Sequence, residues 1–451
     1  MSIKSAAAVS LAKFFGYLSC KIRKSKGQTL PGFIAKKIDG NILSDLSQQV
    51  RGDVFAVMGT NGKTTTNALL YGLLTKEGKK VVINRTGSNM LNGVISAFVL
   101  AAGNDGKLDA DFACIEADEF ASGSILPKMK VNYLIITNIT RDQLDRMGEV
   151  DIVYDKVLEA VKNFDGTLVI NGDDVLTYSL ALESGKKFVT YGIDEQVFDE
   201  ASRSEIREST FCKRCGSRLK YNFFHYGQLG DYYCEECGIK RPEMDYAAKD
   251  IKITEDEIAF TVNGKRIEIR AKANYNIYNS LSVYALLDDA GIMNDEMIKG
   301  FAEFDFRNNR ENVYHIGESD IQIHLVKNPI GFQQKVALIK KDESEKDVVI
   351  LINDEYQDGQ DVSWLWDVNF EELRNENIKS ITATGKRCLD MCLRLKYEEI
   401  ECAYDFDVEN VVRGHIEKKN RNVYLIVNYT GLYSSNDMLE RLKKEYEEGE
   451  K

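Results

Sequence analysis

The sequence predicts an α/β protein: a central parallel sheet carrying a phosphate-binding loop, an inserted four-cysteine zinc ribbon, and a C-terminal Rossmann-like α/β domain. Three observations predict this class. A strand, a glycine turn and a helix follow one another over residues 53–66, two C-x-x-C pairs lie between 212 and 237, and apolar strand-like runs alternate with helical stretches elsewhere. That alternation is typical of a doubly wound sheet.

The length and composition bound the number of domains. A chain of 451 residues is too long for one hydrophobic core, so two or three domains are expected. Hydrophobic content of 43% and charged content of 29% are those of a soluble globular protein. We expect a basic N-terminal segment at 1–38, a central ATP-binding domain at 39–310 with the ribbon inserted at 205–245, and a C-terminal, partner-contacting domain at 311–451.

The charge is unevenly distributed along the chain. Eight basic residues precede Asp39, the first acid, so the net charge of −12 splits into +8 before Asp39 and −20 from there on. The acidic bulk argues against nucleic-acid binding. Large apolar residues recur among the early cations at helical spacing: Leu11, Phe14, Phe15, Leu18 and Ile22. This pattern predicts a short amphipathic helix that either rests on anionic lipid headgroups or packs on the protein's own surface.

The first chemical motif is the turn after the apolar run Val54–Met58. In Gly-Thr-Asn-Gly-Lys-Thr-Thr, Gly59 and Gly62 allow backbone N–H groups to close on phosphate oxygens, and Lys63 adds a point charge. The strict pattern has a glycine where Val57 stands. We nevertheless expect this loop to bind ATP, with contacts from Gly59, Thr60, Asn61, Gly62, Lys63, Thr64 and Thr65.

A magnesium site is predicted beside this loop. The Thr64 or Thr65 hydroxyl can hold Mg²⁺, and Glu116 ends a second predicted strand, Phe112–Glu116. Asp118 and Glu119 are alternatives that could instead cap the next helix. We favour Glu116, and we expect Lys63 and Glu116 to be catalytic.

The second motif predicts a structural metal. Cys212 and Cys215 are separated by eighteen residues from Cys234 and Cys237, which is the spacing of a four-thiolate zinc ribbon. Four thiolates leave no open coordination position, so a structural role is expected, and a nucleic-acid module is the weaker alternative. Because the other five cysteines are scattered, a reducing, cytoplasmic setting is expected.

The remaining runs extend both domains. Asn263-Gly264 predicts a hairpin, a helix is expected at 277–290, and a charged helix at 437–448. Further strands are predicted at 81–84, 133–137, 167–171, 188–191, 348–352, 381–384 and 423–427, and a further helix at 152–164.

Taken in order, the motifs resemble those of the Mur ligases, ADP-forming enzymes of peptidoglycan synthesis. The resemblance rests on 59–65, the Glu116 strand, 137–148, Asn276 with Asn279, and Arg310 with Glu311. Gln143 stands where amino-acid-adding members usually carry histidine. With this glutamine, the ribbon and the motifs at 327–332 and 358–367, the chain resembles the ligase subunits of lipid II isoglutaminyl synthases.

This resemblance implies a reaction and further site residues. ATP would phosphorylate the α-carboxylate of D-glutamate in the lipid II stem peptide, and ammonia would displace the phosphate to leave D-isoglutamine. Asn276 and Asn279 would face the adenine, and Arg310 would lie near the phosphates. A stand-alone ligase that adds an amino acid, as Mur or folylpolyglutamate enzymes do, and a zinc-ribbon regulator that binds ATP are the alternatives.

The same resemblance implies a partner. Ammonia is mostly ammonium at neutral pH, and the chain has no recognisable glutaminase nucleophile, so a GatD-like glutamine amidotransferase would supply it in a heterodimer. The ligase subunit would contribute an aspartate to the partner's catalytic triad, for which we choose Asp361 ahead of Asp358 and Asp354. Trp364 and Trp366 beside it are equally compatible with core or interface positions. The lipid-linked substrate favours a site of action at the inner face of the plasma membrane.

Overall fold

The computed structural model describes residues 3–23, 29–84, 88–142, 148–197, 209–254, 256–306, 311–419 and 422–449. These residues fall into two compact units. Unit one runs to Thr140 and resumes from Val150 to Phe306, and unit two runs from Glu311 onward and includes the short stretch at Arg141 and Asp142.

Unit one is built on a mixed sheet in which nine described strands take part. The strands are β1 Val54–Met58, β2 Val81–Ile83, β3 Phe112–Glu116, β4 Tyr133–Ile136, β5 Thr167–Asn171, β6 Phe188–Ile193, β9 Tyr246–Ile253, β10 Ile258–Val262 and β11 Lys265–Ile269. The first six are parallel and lie in the order β6-β5-β4-β1-β3-β2, which confirms the doubly wound class. At the β6 edge, β9 continues the sheet in parallel, and β10 and β11 follow it as antiparallel strands.

Helices cover both faces of this sheet, because alternate residues of its strands point to opposite sides. In β1, Phe55 and Val57 belong to one buried cluster, and Val54 belongs to the other. The helices are α1 Ile3–Arg23, α2 Leu30–Ile38, α3 Ile42–Ser47, α4 Lys63–Lys76, α5 Leu91–Ala101, α6 Ser122–Ile125, α7 Val150–Lys162, α8 Val175–Ser184, α9 Asn276–Asp289 and α10 Asp295–Glu303. The first cluster packs α4 and α9, and the second packs α1, α2, α3 and α5.

The order of the strands creates the site. Since β1 lies between β3 and β4, the carboxyl ends of three parallel strands meet where β1 turns into α4. Val57 is in register with Glu116, and Met58 is in register with Ile136. Parallel α/β sheets bind ligands at such an edge.

The cysteine insert is a separate small element of unit one. Its strands, β7 Lys220–Phe224 and β8 Gly230–Tyr233, form a two-stranded antiparallel sheet between the two cysteine pairs.

The elements of unit two are β12 Glu311–Ile316, β13 Ser319–Leu325, α11 Pro329–Lys341, β14 Lys346–Leu351, β15 Ile378–Thr384, α12 Cys388–Tyr397, β16 Ala403–Asp405, α13 Val408–Glu417, β17 Asn422–Val427 and α14 Tyr429–Gly449. In the described residues its strands form a second, six-stranded sheet with the order β12-β13-β17-β14-β15-β16. Neighbouring strands are parallel except for the antiparallel pair β12 and β13.

The last helix begins earlier than the sequence predicts. The charged stretch 437–448 is only the second half of α14, which starts at Tyr429. Its first turn is capped by a residue distant in sequence: the Thr430 N–H donates to Asp358 Oδ1 at 2.7 Å. A local pattern cannot reveal such a cap.

Candidate active site and metal centre

The loop between β1 and α4 has the conformation that glycine permits. Gly59 and Gly62 have φ of 121° and 88°, a region that other residues rarely adopt. A Cβ on Gly59 would also lie 2.3 Å from Thr137 Oγ1, and one on Gly62 would lie 2.5 Å from Asn279 Oδ1. Both positions therefore exclude a side chain.

The residues after β4 hold this loop in place. The N–H groups of Thr60 and Asn61 donate to the backbone and side-chain oxygens of Asn138, each at 2.9 Å. Thr137 Oγ1 donates to Asn61 O at 2.7 Å, and the Thr60 hydroxyl bonds both N and O of Thr140 at 3.0 Å. These bonds fix the loop from which α4 begins, and the N-terminus of a helix is suited to binding phosphate.

Lys63 carries a buried positive charge at the start of α4. Its side chain is 8% exposed, and Nζ lies 3.1 Å from Glu119 Oε1, whose side chain is 1% exposed. Nζ also donates to the carbonyl oxygens of Gly59 and Thr60. Glu119 was predicted either to substitute for Glu116 at the magnesium site or to cap the next helix, and its pairing with Lys63 was not predicted.

Glu116 and Thr64 form a second polar pair beside the loop. Thr64 Oγ1 donates to Glu116 Oε2 at 2.8 Å, and Asn89 Nδ2 donates to Glu116 Oε1 at 3.1 Å. A hydroxyl and a carboxylate in contact are the oxygen donors that Mg²⁺ prefers, so these residues fit the predicted ion. Thr64 makes this contact, so it is a better candidate than Thr65. Asp118 accepts from Phe120 N at 3.0 Å in the turn before α6, whose N-cap is Ala121 without a side-chain bond, so Asp118 is not the helix cap considered for it.

The predicted adenine contacts lie at the start of α9. Asn276 and Asn279 are each 5% exposed, and Asn279 Nδ2 donates to Asn276 Oδ1 at 2.9 Å. Asn279 Oδ1 accepts from Thr66 Oγ1 at 3.4 Å, which places it against the loop. Arg310 and Gln143, which the sequence analysis singled out, lie outside the described residues.

The four ribbon cysteines are close enough to bind one metal ion. Their sulfur atoms all lie within 4.8 Å of one another. The Sγ atoms of Cys212 and Cys237 are 3.5 Å apart, as are those of Cys215 and Cys234. A tetrahedral zinc site with Zn–S bonds of about 2.3 Å needs sulfurs about 3.8 Å apart, so the cluster fits zinc.

The two C-x-x-C turns have matching backbones. Gly216 N donates to Cys212 O and Gly238 N to Cys234 O, and both glycines have positive φ, 75° and 73°. The similarity shows why each pair is followed by glycine.

A buried network that the sequence analysis missed connects the insert to α9. Asp173, which is fully buried, lies 2.5 Å from Nε of Arg241, a residue just after the second C-x-x-C turn. Its other oxygen accepts from Tyr278 OH at 2.7 Å and from Ile193 N at 2.8 Å. Burial raises the pKa of Tyr278 well above its usual value, so the phenol remains a donor. The sequence signal for this network was the basic residue Arg241, which lies shortly after the second cysteine pair.

The three candidate aspartates in unit two occupy different settings. Asp358 is buried, bonds both N and Oγ1 of Thr430, and has a pKa raised by that burial. Asp354 lies 3.4 Å from Arg387. Asp361 is partly exposed and accepts from Ser363 N at 2.8 Å, and its hydrogen bonds with Ser363 hold its pKa below the usual range.

The neighbouring tryptophans differ in burial. Trp364 is 7% exposed and belongs to the core of unit two, whereas Trp366 is 46% exposed and stacks edge-on against Tyr397. Tyr397 is itself 70% exposed.

Comparison with solved structures identifies the class. A pseudomurein peptide ligase type C from Methanothermus fervidus matches with a TM-score of 0.69 at 20% identity, over 88% of this chain and 80% of that one. MurF ligase from Thermotoga maritima, solved in complex with ADP, matches with a TM-score of 0.61 at 16% identity, over 92% and 84%. The Mur ligase middle domain family matches residues 57–235. The chain thus has the Mur ligase fold.

The sequence relatives define the particular family. The family described as MurT ligase C-terminal matches residues 325–432. The MurT subunit of lipid II isoglutaminyl synthase (glutamine-hydrolyzing) from Staphylococcus aureus strain COL is 33% identical over 98% of this chain and 99% of its own length. This chain belongs to the MurT family.

The Lys63–Glu119 pair makes a prediction about stability. Glu119→Gln should lower the free energy of unfolding of the nucleotide-free chain by about 3–5 kcal/mol, because it leaves a buried ammonium without its carboxylate. A non-hydrolysable ATP analogue with Mg²⁺ should raise the melting temperature of this variant more than that of the wild type, since phosphate then supplies the missing charge. Lys63→Ala should lose the nucleotide-dependent rise.

Calorimetry with and without the analogue measures both effects. Asp109→Asn is the control: Asp109 pairs with Arg51 and Lys80 on the surface, where solvent screens ion pairs, so its melting temperature should stay close to that of the wild type. An equal rise in the wild type and in Glu119→Gln would contradict the proposed exchange of carboxylate for phosphate.

The cysteine cluster makes a prediction about metal content. The wild-type chain should hold a stoichiometric zinc ion, and Cys212→Ser should lose it on dialysis against a chelator and melt at a lower temperature, because folding and metal binding are coupled. Elemental analysis measures the zinc. Cys392→Ser, in unit two, is the control that should keep the metal. Unchanged zinc in Cys212→Ser would refute the site.

Proposed function

We propose that this chain is the ATP-dependent ligase subunit that converts the α-carboxylate of D-glutamate in the lipid II stem peptide to the amide of D-isoglutamine, in peptidoglycan biosynthesis. The observation that carries the proposal is membership of the MurT family over nearly the whole chain. The relatives are named as subunits of lipid II isoglutaminyl synthase (glutamine-hydrolyzing). Isoglutamine is glutamate with an amide in place of its α-carboxylate, so the name describes an amidation. The arrangement of charged and polar groups around the glycine loop supports a phosphoryl transfer.

The chemistry explains why ATP is needed. A carboxylate repels nucleophiles and lacks a leaving group. Transfer of the γ-phosphoryl group to a carboxylate oxygen gives an acyl phosphate and ADP. The ammonia lone pair then attacks the carbonyl carbon, the C–N bond forms, the C–O bond to phosphate breaks, and phosphate leaves, while the nitrogen gives up one proton, which the departing phosphate or water accepts.

The chain's own residues would act on the phosphates. The backbone N–H groups of residues 62–65, where α4 begins, and the Lys63 ammonium would bind the negative charge that moves during transfer. Thr64 and Glu116 would hold Mg²⁺, which neutralises phosphate oxygens when bound. On nucleotide binding, Lys63 would exchange Glu119 for phosphate. By family resemblance, Asn276 and Asn279 would contact the adenine, and Arg310 would lie near the phosphates.

The ribbon would act as a support rather than a catalyst. Four thiolates around zinc leave no position for water or substrate. The contact from Arg241 through Asp173 to Tyr278 connects the ribbon to α9, whose Asn279 lies against Gly62. We infer that zinc stabilises the helix that backs the nucleotide loop.

The nitrogen would come from a second protein. Ammonia at neutral pH is mostly ammonium, which has no lone pair to attack with, so release of NH₃ close to the acyl phosphate is advantageous. We propose that a GatD-like glutamine amidotransferase subunit, carrying the nucleophilic cysteine and its histidine, forms a heterodimer with this chain. The relatives are named as subunits, which supports an assembly.

Asp361 is the residue we assign to the partner's triad. It is accessible and ionised, whereas Asp358 is buried as the cap of α14 and Asp354 is paired with Arg387. An aspartate that accepts from a histidine N–H orients the ring and stabilises its cation during glutamine hydrolysis. Because lipid II is lipid-linked, we place the reaction at the inner face of the plasma membrane.

A donor assay tests the function. The chain with ATP, Mg²⁺ and lipid II should form the amide with ammonium at high pH without any partner, and with glutamine only when the glutaminase is present. Mass spectrometry of the stem peptide separates the outcomes. Addition of an amino acid instead would establish a stand-alone ligase, and nucleotide binding without ligation would establish a regulator.

Asp361→Asn sharpens this assay. Glutamine-dependent amidation should fall by about 10³-fold or more, because the partner's histidine loses its acceptor, while ammonium-dependent amidation should be unchanged. Asp354→Asn is the matched control and should keep both activities. Loss of both activities in Asp361→Asn would mean that Asp361 belongs to the ligase site or to the fold.

A further inference from the structure

The N-terminal helix has its small residues inside and its large apolar residues outside. On α1, Ser5, Ala8, Val9 and Ala12 are fully buried against the second core cluster of unit one. Five large apolar side chains on the same helix are between 38% and 66% exposed: Leu11, Phe14, Phe15, Tyr17 and Leu18. A helix on a protein surface normally buries its large apolar side chains and exposes its small ones, because burial of more apolar area gives a larger hydrophobic free energy.

These exposed side chains form one continuous stripe. Leu11, Phe14, Phe15 and Leu18 recur at i, i+3, i+4 and i+7, the spacing of a single helical face, and Tyr17 lies beside them. Phe33 on α2, which packs against α1, is also 45% exposed. Contiguous exposed apolar surface of this kind marks an interaction site.

Cations surround the stripe. Lys4 and Lys21 lie on α1 at either end of the stripe, and Lys36 and Lys37 lie on α2. The Nζ atoms of Lys21 and Lys37 lie 5.8 Å and 4.8 Å from the ring centroids of Tyr17 and Phe33. The first 38 residues contain eight basic residues and no acid. Large apolar side chains among cations are the composition of a helix that lies in a lipid headgroup layer.

From this arrangement we propose that the outer face of α1, with Phe33 of α2, is a docking surface for an anionic lipid bilayer. The charge division supports this occupant: residues from Asp39 onward carry a formal charge of −20, which anionic lipid repels, so the basic N-terminal segment alone is attracted. None of the described helices is long and apolar enough to cross a membrane, so α1 would lie on the surface. The proposal deepens the proposed function, since a lipid-linked substrate is reached at that surface.

The sequence predicts that this helix either rests on lipid headgroups or packs on the protein's own surface. In the structure, one face of α1 packs on the protein, and the opposite face is exposed. Ala8, Val9 and Ala12 pack on the protein itself, and Gly16 lies against Pro31, where a Cβ would approach a proline carbon at 2.8 Å. The helix is therefore fixed to unit one, and its outward side chains are presented without a prior change in conformation.

Vesicle co-sedimentation of the full chain tests the surface without ATP or lipid II, so failure of the ligase proposal cannot affect the result. The chain should bind vesicles of phosphatidylglycerol with phosphatidylcholine, bind vesicles of phosphatidylcholine alone much less, and lose affinity as salt is raised. The triple variant F14S/Y17S/L18S should bind at least about tenfold more weakly, because three apolar side chains no longer leave water. I152S/L182S, two exposed apolar residues elsewhere on unit one, is the matched control and should bind as the wild type does.

A second variant separates charge from apolar burial. K4Q/K21Q/K37Q should weaken binding to the anionic vesicles and reduce its salt dependence, and its melting temperature should match that of the wild type because these side chains are exposed. Absence of vesicle binding by the wild type, or equal binding by the triple serine variant, would overturn the proposal. A wild-type dimer that the triple variant abolishes, or loss of glutaminase binding in that variant, each without vesicle binding, would assign the face to a second copy or to the partner and overturn it as well.

Discussion

The proposed nucleotide site depends on one electrostatic constraint: the Lys63 ammonium is buried at the start of α4, where water cannot solvate it. A buried charge without a partner is unstable, so the site must always contain an anion at this point. In the structure Glu119 is that anion, 3.1 Å away. The same requirement makes the site selective for a ligand that brings its own negative charge. Glu116 and Thr64, next to it, provide oxygen donors for the cation that such a ligand carries.

The loop around this charge is held from two directions. Thr137, Asn138 and Thr140 hold the loop from the end of β4, and Asn279 closes against Gly62 from α9. Tyr278, one residue before Asn279, is bonded to Asp173, and Asp173 is bonded to Arg241 beside the cysteine cluster. A small inserted four-cysteine module is thereby part of the frame of the proposed nucleotide site, although it is separated from the loop by more than a hundred residues of chain.

The sequence predicts what is determined locally. Val54–Met58, Phe112–Glu116 and Thr167–Asn171 appear as strands with the predicted bounds, because fully buried parallel strands are continuous apolar runs bounded by turn residues. The glycine loop and the four cysteines could be found for the same reason: their spacing along the chain is the property that the chemistry requires. The family followed from motifs of this kind, and the comparisons confirm it.

What could not be predicted depends on pairings between distant residues. Glu119 and Glu116 are equivalent acids in sequence, and only the fold directs one to Lys63 and the other to Thr64. Asp358 caps a helix that begins 71 residues later, a distance at which no local rule applies. The burial of the small residues of α1 and the exposure of its large ones could not be predicted either. Both faces of the helix are apolar, and only packing decides which face is buried.

The most direct test of the account follows an oxygen atom. Lipid II labelled with ¹⁸O in the α-carboxylate of D-glutamate is incubated with the chain, ATP, Mg²⁺ and ammonium, and the released phosphate is analysed by mass spectrometry. The account predicts that the phosphate carries one ¹⁸O for each amide formed, because the carboxylate oxygen leaves as part of the acyl phosphate, and that ADP is the other product. Amide formation with unlabelled phosphate, or with AMP as the nucleotide product, would contradict it.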